Sequence, residues 1–454
     1  MKFTLFGIIL VFLLAIYIFK NIKNPKLGND MFIYSVLGLL VLDIGYVAKI
    51  GSFTVEYNYI FSIINFIFSV FFLFKNRPSK KNVVLFCILF GYLFISMFLP
   101  FIFNIKLNSV AFNDSWDLYF GAKDLQIITF SKHSFMMFAR TVIFILSFYC
   151  FCKNTTKDDL INYSKKIFYV SNFIIILSML EFLISNCINE FAFRRFCLNF
   201  FGHSDSTYEL SRMTNDGIYL PMAFMREPSS YVRSLFIFCI NNIMYILFVN
   251  YKNKITIYNI VILIVILLLS KSLSAIIYLV GIFILLWCLI KQRKRRVIVL
   301  IFSIILLLFA SFIMKDRFLK FFDSFSLLSK SPKDLYKGSE LIRLYSINNN
   351  IQYFFKYFIF GCGFGTIYCY SSIVTLLVNF GVIGTVIYIY IIYHITSIMT
   401  KDKRFSWLTI LIIVLTHLLI GHLSYLIYLE TAGYLYLCIK QIDILIRNRD
   451  KNEK

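Results

Sequence analysis

Apolar residues run along this chain in blocks separated by short polar connections, and the blocks recur from one end to the other. Crossing a hydrocarbon core of about 30 Å takes about 20 mostly apolar residues as a helix, because without water every backbone polar group must find its partner inside the element. The pattern predicts spans near 3–19, 31–48, 57–74, 83–103, 135–151, 167–185, 231–250, 256–270, 273–290, 297–314, 366–393, 406–421 and 424–440. The blocks at 256–270 and 273–290 nearly merge, as do the last two, so the expected number of spans is about twelve or thirteen. The predicted fold class is therefore all-α, a single polytopic membrane domain over residues 1–454.

Composition removes the soluble alternative. The 454 residues are 59% hydrophobic and only 15% charged, with 53 phenylalanines. A soluble domain carries roughly 25% charged residues, so this chain has an apolar surplus that water cannot accommodate. Basic residues add an orientation, because short cytoplasmic connections retain Lys and Arg. Lys20, Lys23 and Lys26 form one such group, Lys75, Arg77, Lys80 and Lys81 a second, and Lys153, Lys157, Lys165 and Lys166 a third. Lys252 with Lys254, the block Lys291 to Arg296, the trio Lys401, Lys403 and Arg404, and the tail from Lys440 continue the series on every second connection. The alternation predicts an inner-membrane protein with a cytoplasmic C-terminus and, for an odd number of spans, an external N-terminus. The net charge of +23 is thus mostly a topology signal with some attraction for anionic lipid, not a nucleic-acid footprint. Lys20, Asn21 and Lys23 follow the first block without a small-residue cleavage site, so it reads as a retained span.

Three connections, 104–134, 186–230 and 315–365, exceed simple turns, and all are expected outside. The last two are the large external loops that hold candidate chemistry. Cysteines lie mostly inside apolar blocks as small buried hydrophobes; Cys187 with Cys197, and Cys362 with Cys369, are close enough in sequence to leave an external disulfide open.

The loop at 186–230 brings Arg194, Arg195, Arg212 and Arg226 to the external side, against the positive-inside tendency, with Arg233 just inside the next block. A guanidinium stays charged and presents a planar fork that matches phosphate, so this cluster suits a lipid-linked pyrophosphate; pairing with Asp205, Glu209, Asp216 or lipid headgroups is the competing explanation. Glu227 precedes Pro228 where the loop re-enters the membrane, and proline suits the first turn of a helix. Glu227 is either a capping group or a base for a sugar hydroxyl, held beside Arg226. In 315–365 the suggestive cation is Arg343, followed by Gly361, Gly363 and Gly365 before a long apolar block. No strand precedes these glycines, so a dinucleotide fingerprint is excluded and a tight re-entry turn is expected.

Other searches are empty. No Asp-x-Asp pair and no Walker lysine loop occur, and Asp158 with Asp159 falls on the cytoplasmic side. His394, His417 and His422 read as helix-packing residues rather than metal ligands. Asp43 and Glu181 lie in or near spans and are the proton-path candidates a transporter would need.

Three stretches together resemble the O-antigen polymerase (Wzy) family, within the O-antigen polymerase and ligase group of membrane glycosyltransferases. They are Arg212-x4-Gly217 leading to Glu227-Pro228-Ser229; the Leu-Ser-Lys-Ser-Leu-Ser run at 269–274; and Arg343 followed by Gly361-Cys362-Gly363-Phe364-Gly365 and Asn379-Phe380-Gly381-Val382-Ile383-Gly384. The resemblance implies a GT-C-like membrane fold. It also implies transfer of a growing glycan from undecaprenyl pyrophosphate to the next lipid-linked repeat unit at the outer face, for O-antigen, and hence lipopolysaccharide, or for capsule. It implies no cofactor and no metal, arginines on the pyrophosphate, an acidic residue at the acceptor hydroxyl, and a chain-length regulator as a further partner. Ligases of the group place a histidine about a dozen residues before the closing glycine pair; here Tyr370 and Ser371 occupy that region, which favours polymerase. The Arg-x10-Gly pattern of some polymerases is absent around all the loop arginines.

The resulting assignment has Glu227 and Arg343 as catalytic residues, with Arg212, Arg226, Arg194 and Arg195 on the pyrophosphate and Tyr231 stacking on or bonding to a sugar. The rival expectations are a lipid-linked oligosaccharide flippase or other secondary transporter, and a ligase or membrane acyltransferase. Transporters rarely spend about fifty residues on one outer loop.

Overall fold

The computed structural model describes residues 2–24, 26–41, 46–50, 53–108, 125–127, 132–189, 192–201, 228–248, 254–270, 273–289, 293–313, 315, 319, 339–367 and 372–399. These residues are mostly helical and divide into two compact units. The first is drawn from the described parts of Met1–Phe72 and Leu146–Ile313, the second from those of Leu73–Ile145 and Met314–Ala432.

The helices follow the apolar blocks. They are α1 (Leu5–Asn21), α2 (Leu27–Val41), α3 (Tyr57–Lys75), α4 (Lys80–Ser96), α5 (Leu99–Ile102), α6 (Lys132–Asn154) and α7 (Lys157–Cys187). After them come α8 (Ala192–Phe201), α9 (Pro228–Phe248), α10 (Lys254–Leu269), α11 (Leu273–Leu289), α12 (Arg293–Ile313), α13 (Ser339–Lys356) and α14 (Ser372–Met399). The blocks at 406–421 and 424–440 lie outside the described residues. Among the described residues three stretches are long and apolar enough to cross a membrane, Met137–Asn154, Asn162–Cys187 and Ile373–Ile395. Further apolar stretches are shorter, such as α1, whose 17 residues make about 25 Å at 1.5 Å per residue. Large apolar side chains stay uncovered on several helices, with Phe12, Phe19, Phe74 and Phe312 exposing 64 to 82% of their surface. Phenylalanines this open are a poor fit to water and a good one to lipid.

The all-α expectation needs correction in the connections. Strands β1 (Lys2–Phe3), β2 (Tyr46–Ile50) and β3 (Phe53–Glu56) form an antiparallel sheet in the order β1-β2-β3, and β4 (Lys106–Asn108) pairs with β5 (Leu125–Ile127). Within the span expected at 31–48 the described residues are helix as far as Val41 and strand from Tyr46. Apolar content alone could not separate the two, because Val47 and Ala48 are buried as strand residues, Val47 against Tyr57, Phe193, Cys197 and Phe201. The two large loops also contain helices, α8 and α13.

In the first unit α1 is capped by Thr4, whose Oγ1 accepts from Gly7 N at 2.9 Å and donates to the Tyr46 carbonyl at 2.8 Å. Tyr57 OH donates to the Phe201 carbonyl at 3.0 Å, so residues 2–4, 46–57 and 192–201 gather at one end of this unit. At the other end Lys26 reaches Asp159 at 2.5 Å and Lys166 reaches Asp30 at 3.0 Å, with Tyr17 OH donating to the same Asp30 carboxylate at 2.9 Å. Each end therefore groups connections that the alternation of basic residues assigns to one side.

Between the ends α7 and α9 run antiparallel. Ser164, Ser171, Ser178 and Ser185 recur at intervals of seven along α7, an interval that keeps one face toward a packed neighbour. Ser164 Oγ donates to Asn241 Oδ1 at 3.0 Å, Asn242 Nδ2 donates to Ser171 Oγ at 3.1 Å, and the Ser178 hydroxyl bonds that of Tyr231. Small polar residues at such a seam let helices approach closely and satisfy one another where no water is available.

Candidate functional site

The second unit holds the junction between the glycine segment and α14. Hydrogen-bonded turns close α13 over 357–360, and Gly361, Gly363 and Gly365 all take positive φ, of 74°, 105° and 70°. This is the tight turn that the three glycines predict. It crosses α14 at Gly381, where φ of 61° and ψ of −170° interrupt the helix. A Cβ on Gly361 would stand 2.5 Å from Gly381 N, and a Cβ on Gly381 would stand 2.4 Å from the Ile359 carbonyl oxygen. Neither contact is possible, so both motif segments need glycine for the same crossing.

Breaking a helix orphans backbone groups, and here several find partners across the junction. The carbonyls of Val378 and Asn379 accept from Cys362 N at 2.6 Å and Gly363 N at 3.1 Å. Beyond the break, Val382 N donates to Phe358 O at 2.9 Å and Ile383 N to Ile359 O at 3.2 Å. Tyr92 OH on α4 donates to the Phe380 carbonyl at 2.6 Å, over space left free by Gly384. Asn379, fully buried, uses both ends of its amide: Oδ1 accepts from Thr366 N at 3.1 Å and Ile367 N at 3.0 Å, and Nδ2 donates to the carbonyls of Ile367 and Thr375, each at 2.8 Å.

The junction is therefore a scaffold. The amides of Gly361, Cys362, Gly363, Thr366 and Ile367 are already used, which agrees with a turn rather than a phosphate cradle. What it does is fix its neighbours. Ile347, Ile351 and Phe354 of α13 pack on Cys362, Ile367, Val374 and Val378, which anchors the helix that carries Arg343. The Ser134 hydroxyl of α6 donates to the Gly365 carbonyl at 3.0 Å, tying that helix to the turn. Burial pushes the Cys362 thiol upward, so it is a poor nucleophile.

No protein-family model matches this chain, and no curated protein matches it.

The candidates are distributed as follows. Arg343 stands in α13, one turn before Ile347, and its helix belongs to the second unit. Arg194 and Arg195 lie on α8 in the first unit. That helix turns Phe193, Cys197 and Phe201 inward and leaves Arg195 and Phe196 exposed. Tyr231, also in the first unit, is fully buried with its hydroxyl on Ser178, so its ring presents no open face to a sugar here. Arg212, Arg226 and Glu227 lie outside the described residues; Pro228 lies in α9. Cys187 and Cys197 are both free thiols, so the disulfide left open between them is not formed; Cys369 lies outside the described residues. His394 bonds Asn82 through Nε2 at 2.8 Å and stacks on Tyr390, the packing role expected of it.

Two charged residues take on more weight than the sequence suggested. Glu181 is completely buried within Asn162–Cys187. Arg140, which no motif singles out, lies within Met137–Asn154 with its Nε enclosed. Its only sequence signal is isolation, as the one charged residue from Ser134 to Cys152.

Electrostatics outside the spans centre on Lys26 and Asp159. Burial would raise the Asp159 carboxyl, but the hydrogen bonds it accepts from Lys26 and Thr156 outweigh that and hold it below the usual carboxylate range. The same bond raises the Lys26 ammonium.

Proposed function

We propose that this chain is a polytopic inner-membrane glycosyltransferase that polymerises undecaprenyl-pyrophosphate-linked repeat units into O-antigen or capsular polysaccharide at the outer face. The observation that carries the proposal is the junction: Gly361–Gly365 and Asn379–Gly384, separate in sequence, lock together, and the first of them follows the helix of Arg343. Supporting it are the uncovered apolar side chains, the three long apolar helices and the grouping of like connections at each end of the first unit.

In the proposed reaction an acceptor sugar hydroxyl attacks the anomeric carbon of the donor glycan. The new glycosidic C–O bond forms as the anomeric C–O bond to pyrophosphate breaks, and the electron pair leaves on undecaprenyl pyrophosphate. The hydroxyl proton passes to a carboxylate as guanidinium groups neutralise the departing pyrophosphate, the role proposed for Arg343 of the second unit. Preorganised cations lower the barrier because they meet charge as it develops. Removing one such donor typically costs about 10²- to 10³-fold in rate. Arg343→Ala is expected to abolish long polymer while the protein remains in the membrane at normal abundance. Normal chain length from Arg343→Ala cells would remove Arg343 from the reaction.

One observation favours a second reading, a secondary transporter of lipid-linked oligosaccharide. A carboxyl buried as completely as Glu181 in a membrane helix is the kind of group that couples ion or proton movement. Loss of surface glycan from Glu181→Gln, with Arg343→Ala unaffected, would establish the transporter in place of the polymerase.

A further inference from the structure

We infer that the exposed face of α13 seats an uncharged saccharide of the lipid-linked substrate, with Asn348 and Gln352 bonding its hydroxyls and Phe355 packing on its apolar C–H face. The inference rests on the polymerase proposal. Residues 348, 352 and 355 follow at intervals of four and three, so they line one side of the helix. All three are exposed, Phe355 to 69%, whereas Ile347, Ile351 and Phe354 pack inward on the glycine segment and α14.

Two features set this face apart from an ordinary solvated one. Asn348, Asn349, Asn350 and Gln352 place four amides within five residues, without a charge among them. Asparagine is among the poorer formers of a helix interior, and the chain has 46 Lys and Arg with which it could solvate a helix. Asn349, the neighbour of Gln352 one turn back, has its Nδ2 enclosed without a hydrogen-bond partner, a cost that native structures rarely retain without a use. An amide both donates and accepts, as a sugar hydroxyl does, so a neutral amide face matches a polyol better than an anion. Its position fits as well. Just beyond Phe355, the side chains of Phe358, Ile359 and Phe360 are 45 to 54% exposed, which suits contact with lipid. The amides therefore stand within about 10 Å of an apolar edge, where a saccharide carried by a membrane-held lipid emerges.

The test uses the full chain in nanodiscs, supplied with lipid-linked repeat units extracted from cells that lack it, and measures polymer formation against their concentration. Asn348→Ala combined with Gln352→Ala should raise KM about tenfold and change kcat by less than about twofold, because these contacts hold substrate and transition state alike. Asn348→Gln with Gln352→Asn, which keeps both amides, should recover most of the lost affinity. Phe355→Ala should also raise KM, and Phe355→Trp should not. An unchanged KM in the double alanine variant overturns the saccharide face and leaves the polymerase proposal standing. A lower melting temperature with a lower kcat and an unchanged KM marks a structural role and also overturns it. Absence of polymer from the wild type overturns the inference together with the polymerase reading. If the double variant does not fold, Gln352→Ala decides alone, with an expected rise in KM of about threefold.

Discussion

At the residue scale the structure distinguishes glycines and amides that look alike in sequence. Gly381→Ala adds a Cβ 2.4 Å from a backbone oxygen at a positive φ, whereas Gly91, inside α4, has nothing within 4 Å of an added Cβ. Gly381→Ala should therefore lose at least about 2 kcal/mol, and Gly91→Ala should gain up to about 1 kcal/mol from a stiffer unfolded chain and better helix propensity. Thermal melts of the two variants in the same detergent check the opposite signs. Asn379→Ala would strand buried donors and acceptors on both segments of the junction, at about 1–3 kcal/mol for each group left unpaired. The glycines of this site were legible as a turn because positive φ is a local demand. The partners of Asn379, Tyr92 and Ser134 were not, since those contacts join residues 12 to 288 positions apart. Arg140 escaped notice because an isolated charge in an apolar block carries no motif.

At the element scale α7 begins with a capping box in which Thr156 Oγ1 accepts from Asp159 N at 3.4 Å, and Thr156 N and Oγ1 donate to the Asp159 carboxylate. Lys26, from the connection between α1 and α2, bonds the same carboxylate. Because the folded-state pKa of Asp159 lies below its reference value of 3.8, this contribution is present above about pH 4 and is lost as the pH falls through the lowered value. Lys26 has the opposite sign: its pKa is raised above 10.5, so its share is complete below 10.5 and disappears at higher pH. Asp159→Asn should cost about 1 kcal/mol at pH 7 and should flatten the acid limb of a stability profile below about pH 4. An acid limb identical to that of the wild type would remove Asp159 from it. Helix positions were readable from apolar blocks; β2 and β3 were not, because an apolar run next to a helix does not announce that it has left it.

At the scale of the whole molecule, the alternation of basic connections anticipated which segments meet. Residues near Lys26 meet those near Asp159, and residues 46–57 meet 192–201, in each case connections assigned to one side. The arrangement of the large outer segments was not legible, since α8 and α13 are amphipathic or mixed helices that no long apolar block marks. The central claim is that the chain joins repeat units after they have crossed the membrane. Gel separation of surface lipopolysaccharide or capsule from a deletion strain, with and without a plasmid copy, tests it most directly. The polymerase account predicts a single repeat unit in place of a ladder, with the ladder restored by the plasmid; loss of every unit, or an unchanged ladder, would contradict it.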